Sequence, residues 1–306
     1  MRLFLAPVLF QLAVTAVSAQ IIGDVRDAVD QRDFKHADVL IADYRAKHGV
    51  TAEMLEAISW MGRGALAAKR YNDADRYAAE TRRLVLAELK HRNLDDERRL
   101  PIALGAAIEV HAQVLAAGGE RGEAVTFLRQ ELETYRTTSI RTRIQKNINL
   151  LTLEGKTAPP LQMSEWLGPK PVSLTELRGH PVLLFFWAHW CGDCKAEVPD
   201  LGRIQSAFGE KGLVLMGPTQ HYGYAAHGED VSREQETRYI DQVRKEFYGA
   251  LPGMSVPVSE ENFKNYGAST TPTLVLVDRR GVVRLYHPGA IPYSHLAAKI
   301  AEVLTD

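Results

Sequence analysis

The only two cysteines of this 306-residue chain stand as Cys191-Gly192-Asp193-Cys194, just behind an apolar run from Val182 to Trp187. That run is short, rich in β-formers and bounded by Gly179 and Pro181, so it reads as a buried strand. The cysteines then fall where a strand gives way to a helix. A disulfide across so short a loop removes little chain entropy and is a poor staple. A structural zinc site needs four ligands, and no second C-x-x-C exists; His221 and His227, spaced H-x(5)-H, are only a weak substitute. A redox-active dithiol is the reading that remains.

The N-terminus gives the pair a compartment. Arg2 precedes an apolar segment from Leu3 to Val17, and Val17-Ser18-Ala19 offers small side chains at −3 and −1 of a cut before Gln20. This is the pattern of a secretory signal peptide over residues 1–19. Its apolar core is shorter than the roughly 20 residues of a spanning helix, so export to the periplasm is expected, with an uncleaved membrane tether as the alternative. Exported chains generally use cysteines as a multi-bridge framework; a single C-x-x-C is not one. The net charge of −1 and the lack of a basic block indicate no nucleic-acid partner.

Residues 20–154 carry helical periodicity. Met54, Leu55, Ile58, Met61 and Leu66 recur on one face, as do Ala74, Tyr77, Ala78, Thr81, Leu84, Val85 and Leu89, and then Leu104, Ile108, His111 and Leu115. A weak self-similarity runs through them. Arg32-Asp33-Phe34-Lys35-His36-Ala37, Lys69-Arg70-Tyr71-Asn72-Asp73-Ala74 and Glu120-Arg121-Gly122-Glu123-Ala124 each join two helices by a polar turn and place an alanine early in the second. These segments resemble tetratricopeptide (TPR) helix–turn–helix repeats, at irregular spacing. The resemblance implies a docking surface for a protein partner; a helical bundle that merely carries the other half is the plainer alternative.

At Gly155-Lys156-Thr157-Ala158-Pro159-Pro160 the pattern changes. Prolines and glycine mark a linker, and strands now alternate with helices. Strands are expected at Val182–Trp187, Leu213–Met216, Thr273–Val277 and Val282–Tyr286, the last two joined through Asp278-Arg279-Arg280-Gly281 as a hairpin. Helices are expected from the cysteines onward, over about 231–248 and over 293–304. The fold class is therefore α+β in two domains: an all-α hairpin domain, then an α/β domain over 155–306 whose mixed sheet has helices on both faces.

Trp190-Cys191-Gly192-Asp193-Cys194-Lys195, the preceding Phe186-Trp187-Ala188, Pro199 and the distant Thr271-Pro272-Thr273 together resemble a thioredoxin fold. Val172 to Gly179 and Cys194-Lys195-Ala196-Glu197-Val198-Pro199 resemble the exported TlpA/ResA-like thiol–disulfide oxidoreductases. The resemblance covers about half the chain. It implies reduction of protein disulfides without a cofactor, with electrons from a membrane thiol donor, and it implies that Pro272 is cis and faces the dithiol. Cys191, in the first turn of a helix, is the expected nucleophile, its thiolate favoured by unpaired N–H groups and the helix dipole. Cys194 is the resolving thiol. Glu197 stands where the family places an acid, and a carboxylate there can take the Cys194 proton. Trp190, Gly192, Asp193, Thr271 and Pro272 are the expected substrate contacts.

Two departures from common thioredoxins bear on direction. Asp193 replaces the usual proline, and a carboxylate beside the pair opposes thiol ionisation. Phe185 occupies the strand position of their buried acid. A site that disfavours thiolate makes a poorer leaving thiol and a stronger reductant, so the expected direction is reduction. Pro218 to Ser259, with His221-Tyr222-Gly223-Tyr224, is longer than a minimal fold needs and suggests a substrate-binding lip. The competing functional reading is a redox-controlled binding scaffold. A peroxidase is disfavoured, since Trp187-Ala188-His189-Trp190 before Cys191 lacks the Pro-x-x-x-Thr-x-x-Cys pattern.

Overall fold

The computed structural model describes residues 20–305; the expected signal peptide lies outside them. The chain divides into two compact units at Ile144/Gln145.

The first unit is helical throughout: α1 (20–30), α2 (Phe34–His48), α3 (Ala52–Ala67), α4 (Tyr71–Glu88), α5 (Arg99–Ala117), α6 (Arg121–Thr134) and the start of α7 (Arg141–Thr152). The three polar turns read from the sequence adopt one geometry. Arg32, Lys69 and Gly119 all have positive φ. In each turn that residue's N–H donates three residues back, to Val29, Leu66 and Ala116, and the next N–H donates five back, to Ala28, Ala65 and Leu115. This is the Schellman way of satisfying the last carbonyls of a helix. Ala37, Ala74 and Ala124, five positions after each turn residue, are fully buried. A small side chain there lets paired helices approach closely, and Gly64 makes the same allowance, since a Cβ on it would collide with Val29. By length and apolarity α5 could cross a membrane, yet Leu100, Leu104 and Ile108 are buried inside this unit.

The second unit is built on a four-stranded sheet in the order β3-β2-β5-β6, from β2 (Val182–Phe186), β3 (Val214–Met216), β5 (Thr273–Val277) and β6 (Val283–Pro288). β3 runs parallel to β2, while β5 and β6 are antiparallel to their neighbours. A two-stranded sheet pairs β1 (Trp166–Leu167) with β4 (Val256–Pro257). The helices are α8 (Gly192–Ala196), α9 (Val198–Phe208), α10 (Arg233–Phe247), α11 (Glu260–Tyr266) and α12 (Tyr293–Thr305).

Alternation along β2 explains its unbroken apolar sequence. Leu183 and Phe185 join one core with Leu201 and Ile204 of α9, Ile240 and Val243 of α10 and Leu296 and Ile300 of α12. Val182, Leu184 and Phe186 join a second core with Phe263 and Tyr266 of α11 and with Leu161. A strand covered on both faces has no position for a polar side chain. The hairpin between β5 and β6 is held by the Asp278 carboxylate, which accepts from the N–H groups of Arg280 and Val282 and from Arg284 Nε. This is the mixed-sheet thioredoxin arrangement expected for 155–306.

Candidate functional site

The register Phe186↔Thr273 fixes the site. It puts Thr271-Pro272, just ahead of β5, at the end of the sheet where the chain leaves β2 for the cysteines. From the other side, β3 continues into Gly217-Pro218-Thr219. Trp187, fully buried, binds that segment three times. Its N–H donates to the Pro218 carbonyl (3.1 Å), its indole Nε1–H to the Gly217 carbonyl (2.8 Å), and its own carbonyl accepts from Thr219 Oγ1 (2.8 Å). A Cβ on Gly217 would stand 2.8 Å from Met254 Sδ and 3.1 Å from Trp187 Nε1, so glycine permits this closeness.

Cys191 and Cys194 are joined as a disulfide. Cys191 caps α8: its Sγ accepts the Cys194 N–H at 3.0 Å. Cys191 is 3% exposed and Cys194 fully buried, whereas Trp190 beside them is 51% exposed. Gly192 and Asp193 are exposed, and a Cβ on Gly192 would touch nothing. The helix from the cysteines breaks at Glu197, which ends α8 and begins α9, with Pro199 in the first turn of the new helix. There proline's missing N–H costs nothing.

The Thr271–Pro272 bond is cis. Thr271 Oγ1 is enclosed and finds no hydrogen-bond partner among the described residues. Glu197 is only 6% exposed. Its Oε1 accepts from the Ile291 N–H (2.9 Å) on the segment after β6. Burial pushes its carboxyl above the ordinary carboxylate range; the Ile291 N–H opposes the shift, and Asp200 and Asp193 add to it.

Two residues of the neighbourhood escaped the sequence reading. His189, two positions before Cys191, and Glu236, in the first turn of α10, are each 1% exposed. His189 Nε2 stands 3.3 Å from Glu236 Oε1, an ion-pair distance without hydrogen-bond alignment, and neither ring nitrogen has a hydrogen-bond partner among the described residues. The edges of Tyr222, Tyr224 and Tyr239 surround the imidazole at centroid distances of 5.3 to 5.4 Å. The signal in the sequence was an ionisable residue inside the apolar stretch Trp187-Ala188-His189-Trp190. Its partner, 47 positions later, left no local mark. His221 donates to or accepts from Thr237 Oγ1 at 2.8 Å, while His227 lies exposed with positive φ.

Comparison with known proteins agrees with this architecture. The AhpC/TSA family profile matches residues 155–286. The thiol:disulfide interchange protein DsbE of Xylella fastidiosa is 30% identical over 155 residues, which are 50% of this chain and 71% of that protein. The chain belongs to the AhpC/TSA thioredoxin-like family. It is a thiol–disulfide oxidoreductase. ResA of Bacillus thuringiensis, a thiol-disulfide oxidoreductase, is a further relative of this AhpC/TSA member, 26% identical over 129 residues, or 42% of this chain and 66% of its own. A solved thiol:disulfide interchange protein of the thioredoxin family from Chlorobium tepidum TLS is 18% identical and covers 49% of this chain and 97% of its own, at a TM-score of 0.38.

Proposed function

We propose that this protein is an exported reductase of protein disulfides. The Cys191 thiolate attacks one sulfur of the substrate's disulfide; that S–S bond breaks, and the departing substrate sulfur takes up a proton. Cys194 gives its proton to the Glu197 carboxylate and attacks Cys191 Sγ. The mixed disulfide breaks, the second substrate thiol is released, and two electrons have passed to the substrate. The enzyme is left with the Cys191–Cys194 disulfide, which a membrane thiol donor reduces in turn. Trp190, Gly192, Asp193, Thr271 and Pro272 form the surface that receives the substrate chain, to which Thr271 offers its backbone groups.

The observation that carries the reading is the Cys194 N–H aimed at Cys191 Sγ across the first turn of α8. A donor in that position favours the attacking thiolate. The test is a trap. Cys194→Ala protein, incubated with periplasmic extract, accumulates a mixed disulfide on Cys191, and Cys191→Ser protein accumulates none; equal capture by both would sink the exchange mechanism.

The reducing direction rests on the carboxylates Asp193 and Glu197 beside the pair. A reduction potential near about −270 mV is expected. A value near about −120 mV, typical of proteins that introduce disulfides, would reverse the direction. Export and periplasmic location rest on residues 1–19. For the helical unit we propose TPR-like docking of a protein partner, supported by the three equivalent turns and by a cleft of about 560 Å³ lined by Arg82, Arg83, His111 and Phe127.

A further inference from the structure

Residues 220–231 form a small closed lobe. Tyr224 bridges Asp230 in antiparallel fashion, the Ala225 N–H donates to the Glu229 carbonyl, and the Val231 N–H donates to the Gly223 carbonyl. Its tip, His227 and Gly228, is exposed and has positive φ. At its base the lobe is held by the His221–Thr237 hydrogen bond and by the side chain of Glu236. The Glu236 carboxylate accepts from the Tyr222 N–H (2.6 Å) and from the Gly223 N–H (2.9 Å). The same carboxylate faces His189 at 3.3 Å. Tyr222 touches the rings of both His189 and Trp190, at 5.4 and 5.6 Å. Glu236 therefore ties three things together: the first turn of α10, the base of the lobe, and the loop that carries Trp190 and Cys191.

Burying an ionisable pair for packing alone is a poor choice, because apolar residues of similar volume do as well or better. The two backbone donors that Glu236 holds indicate what the pair is for. Among the described residues neither N–H has a backbone acceptor, and the carboxylate is what satisfies both. We propose that Glu236 and His189 are positioning residues. They fix the Cys191 loop against the 220–231 lobe, so that Trp190 and Tyr222 form one preset aromatic wall for an extended stretch of substrate polypeptide. The wall serves a polypeptide disulfide and is of little use to a small one. The inference rests on the disulfide-exchange reading above.

The charged and titratable groups facing His189 are Glu236 from α10, Lys195 from α8, His221 from the lobe, and the tyrosines 222, 224 and 239. Burial lowers the imidazole's affinity for a proton below the ordinary value, Glu236 works against that shift, and Lys195 and His221 add to it.

The experiment compares Glu236→Gln and His189→Asn with the wild type, using dithiothreitol-driven reduction of insulin and of 2-hydroxyethyl disulfide. A glutamine can accept one of the two backbone donors and turns an N–H toward the other. The insulin-to-small-disulfide ratio of kcat/KM is expected to fall roughly tenfold in Glu236→Gln, the equivalent of one hydrogen bond to a charged group, with the loss in KM rather than kcat. The His189 titration, followed by NMR, is expected to move further down in that variant. An unchanged ratio, or an unmoved titration, in a folded variant would overturn the proposal. If Glu236→Gln does not fold, His189→Asn gives the ratio, and amide exchange in the wild type decides the clamp. Tyr222 and Gly223 amides as slow as those of β2 support it; amides as fast as those of residues 226–228 overturn it. Wild-type protein that reduces neither disulfide would instead remove the exchange reading on which the proposal stands.

Discussion

Two buried glutamates flank the dithiol loop, and their surroundings are opposite. Glu197, behind Cys194, has one N–H donor, from Ile291, and two further acids near it. Glu236, on the side of Trp190, has two N–H donors and an imidazole. Burial with a single donor raises the affinity of the Glu197 carboxyl for its proton, whereas Glu236, with two backbone donors, is a point about which backbone is ordered. Burial alone therefore does not tell a proton carrier from a structural anchor. The number of donors does.

Breaking the anchor should have the largest effect. Glu236→Leu leaves the N–H groups of Tyr222 and Gly223 without their acceptor and removes the carboxylate that faces His189. With two donors left unpaired, the expected loss is about 2–5 kcal/mol in urea unfolding; a loss below about 1 kcal/mol would make the two glutamates equivalent.

The corresponding change on the other side is Glu197→Gln. It keeps an oxygen for the Ile291 N–H but cannot take a proton from Cys194. Disulfide reduction should slow by about a hundredfold. Stability should move the other way. Because the folded state raises this carboxyl above its ordinary 4.5, the folded protein holds a proton that the unfolded chain has lost. Wild-type stability from this source is present below that value and disappears as pH rises through the folded one. The variant's advantage over wild type should therefore grow between pH 4 and pH 7, read from urea midpoints.

The smallest effect, and the sharpest contrast in sign, belongs to His189. Its affinity for a proton falls on folding, chiefly through burial. As pH drops below the ordinary 6.5, the unfolded chain takes up a proton that the fold resists, and stability declines until the folded value is passed. His189→Asn should remove that acid-side slope, whatever it costs in packing against the three tyrosines. A slope that persists in the variant would assign it to another group.

What the sequence allowed to be read, and what it hid, follows the same physics. β2 and β5 are each buried on both faces, so their apolar runs are continuous and end within a residue of expectation. The hairpin after β5 showed itself because one aspartate organises it locally. α11 and the β1–β4 pair did not, since seven residues, or two against two, leave no period to detect. Among the site residues, Cys191, Cys194, Thr271 and Pro272 were legible from spacing and resemblance. Glu236 was not, because its donors are backbone groups of a loop, and backbone groups carry no sequence signature. Glycine's part was not legible: Gly217, the position where a side chain would collide, carries no mark in the sequence.

The three matched turns of the helical unit have a consequence for how that unit melts. Its helices pack on the next one or two along the chain, α3 with α4 and α5, α4 with α5, and α5 with α6. In each hairpin the first helix ends in the same Schellman turn and the second begins with a buried alanine. An array of this kind behaves as a row of coupled segments rather than one all-or-none body. On heating, the outer hairpins should loosen first and the α3–α5 segment last, so the unit's unfolding is graded along the chain.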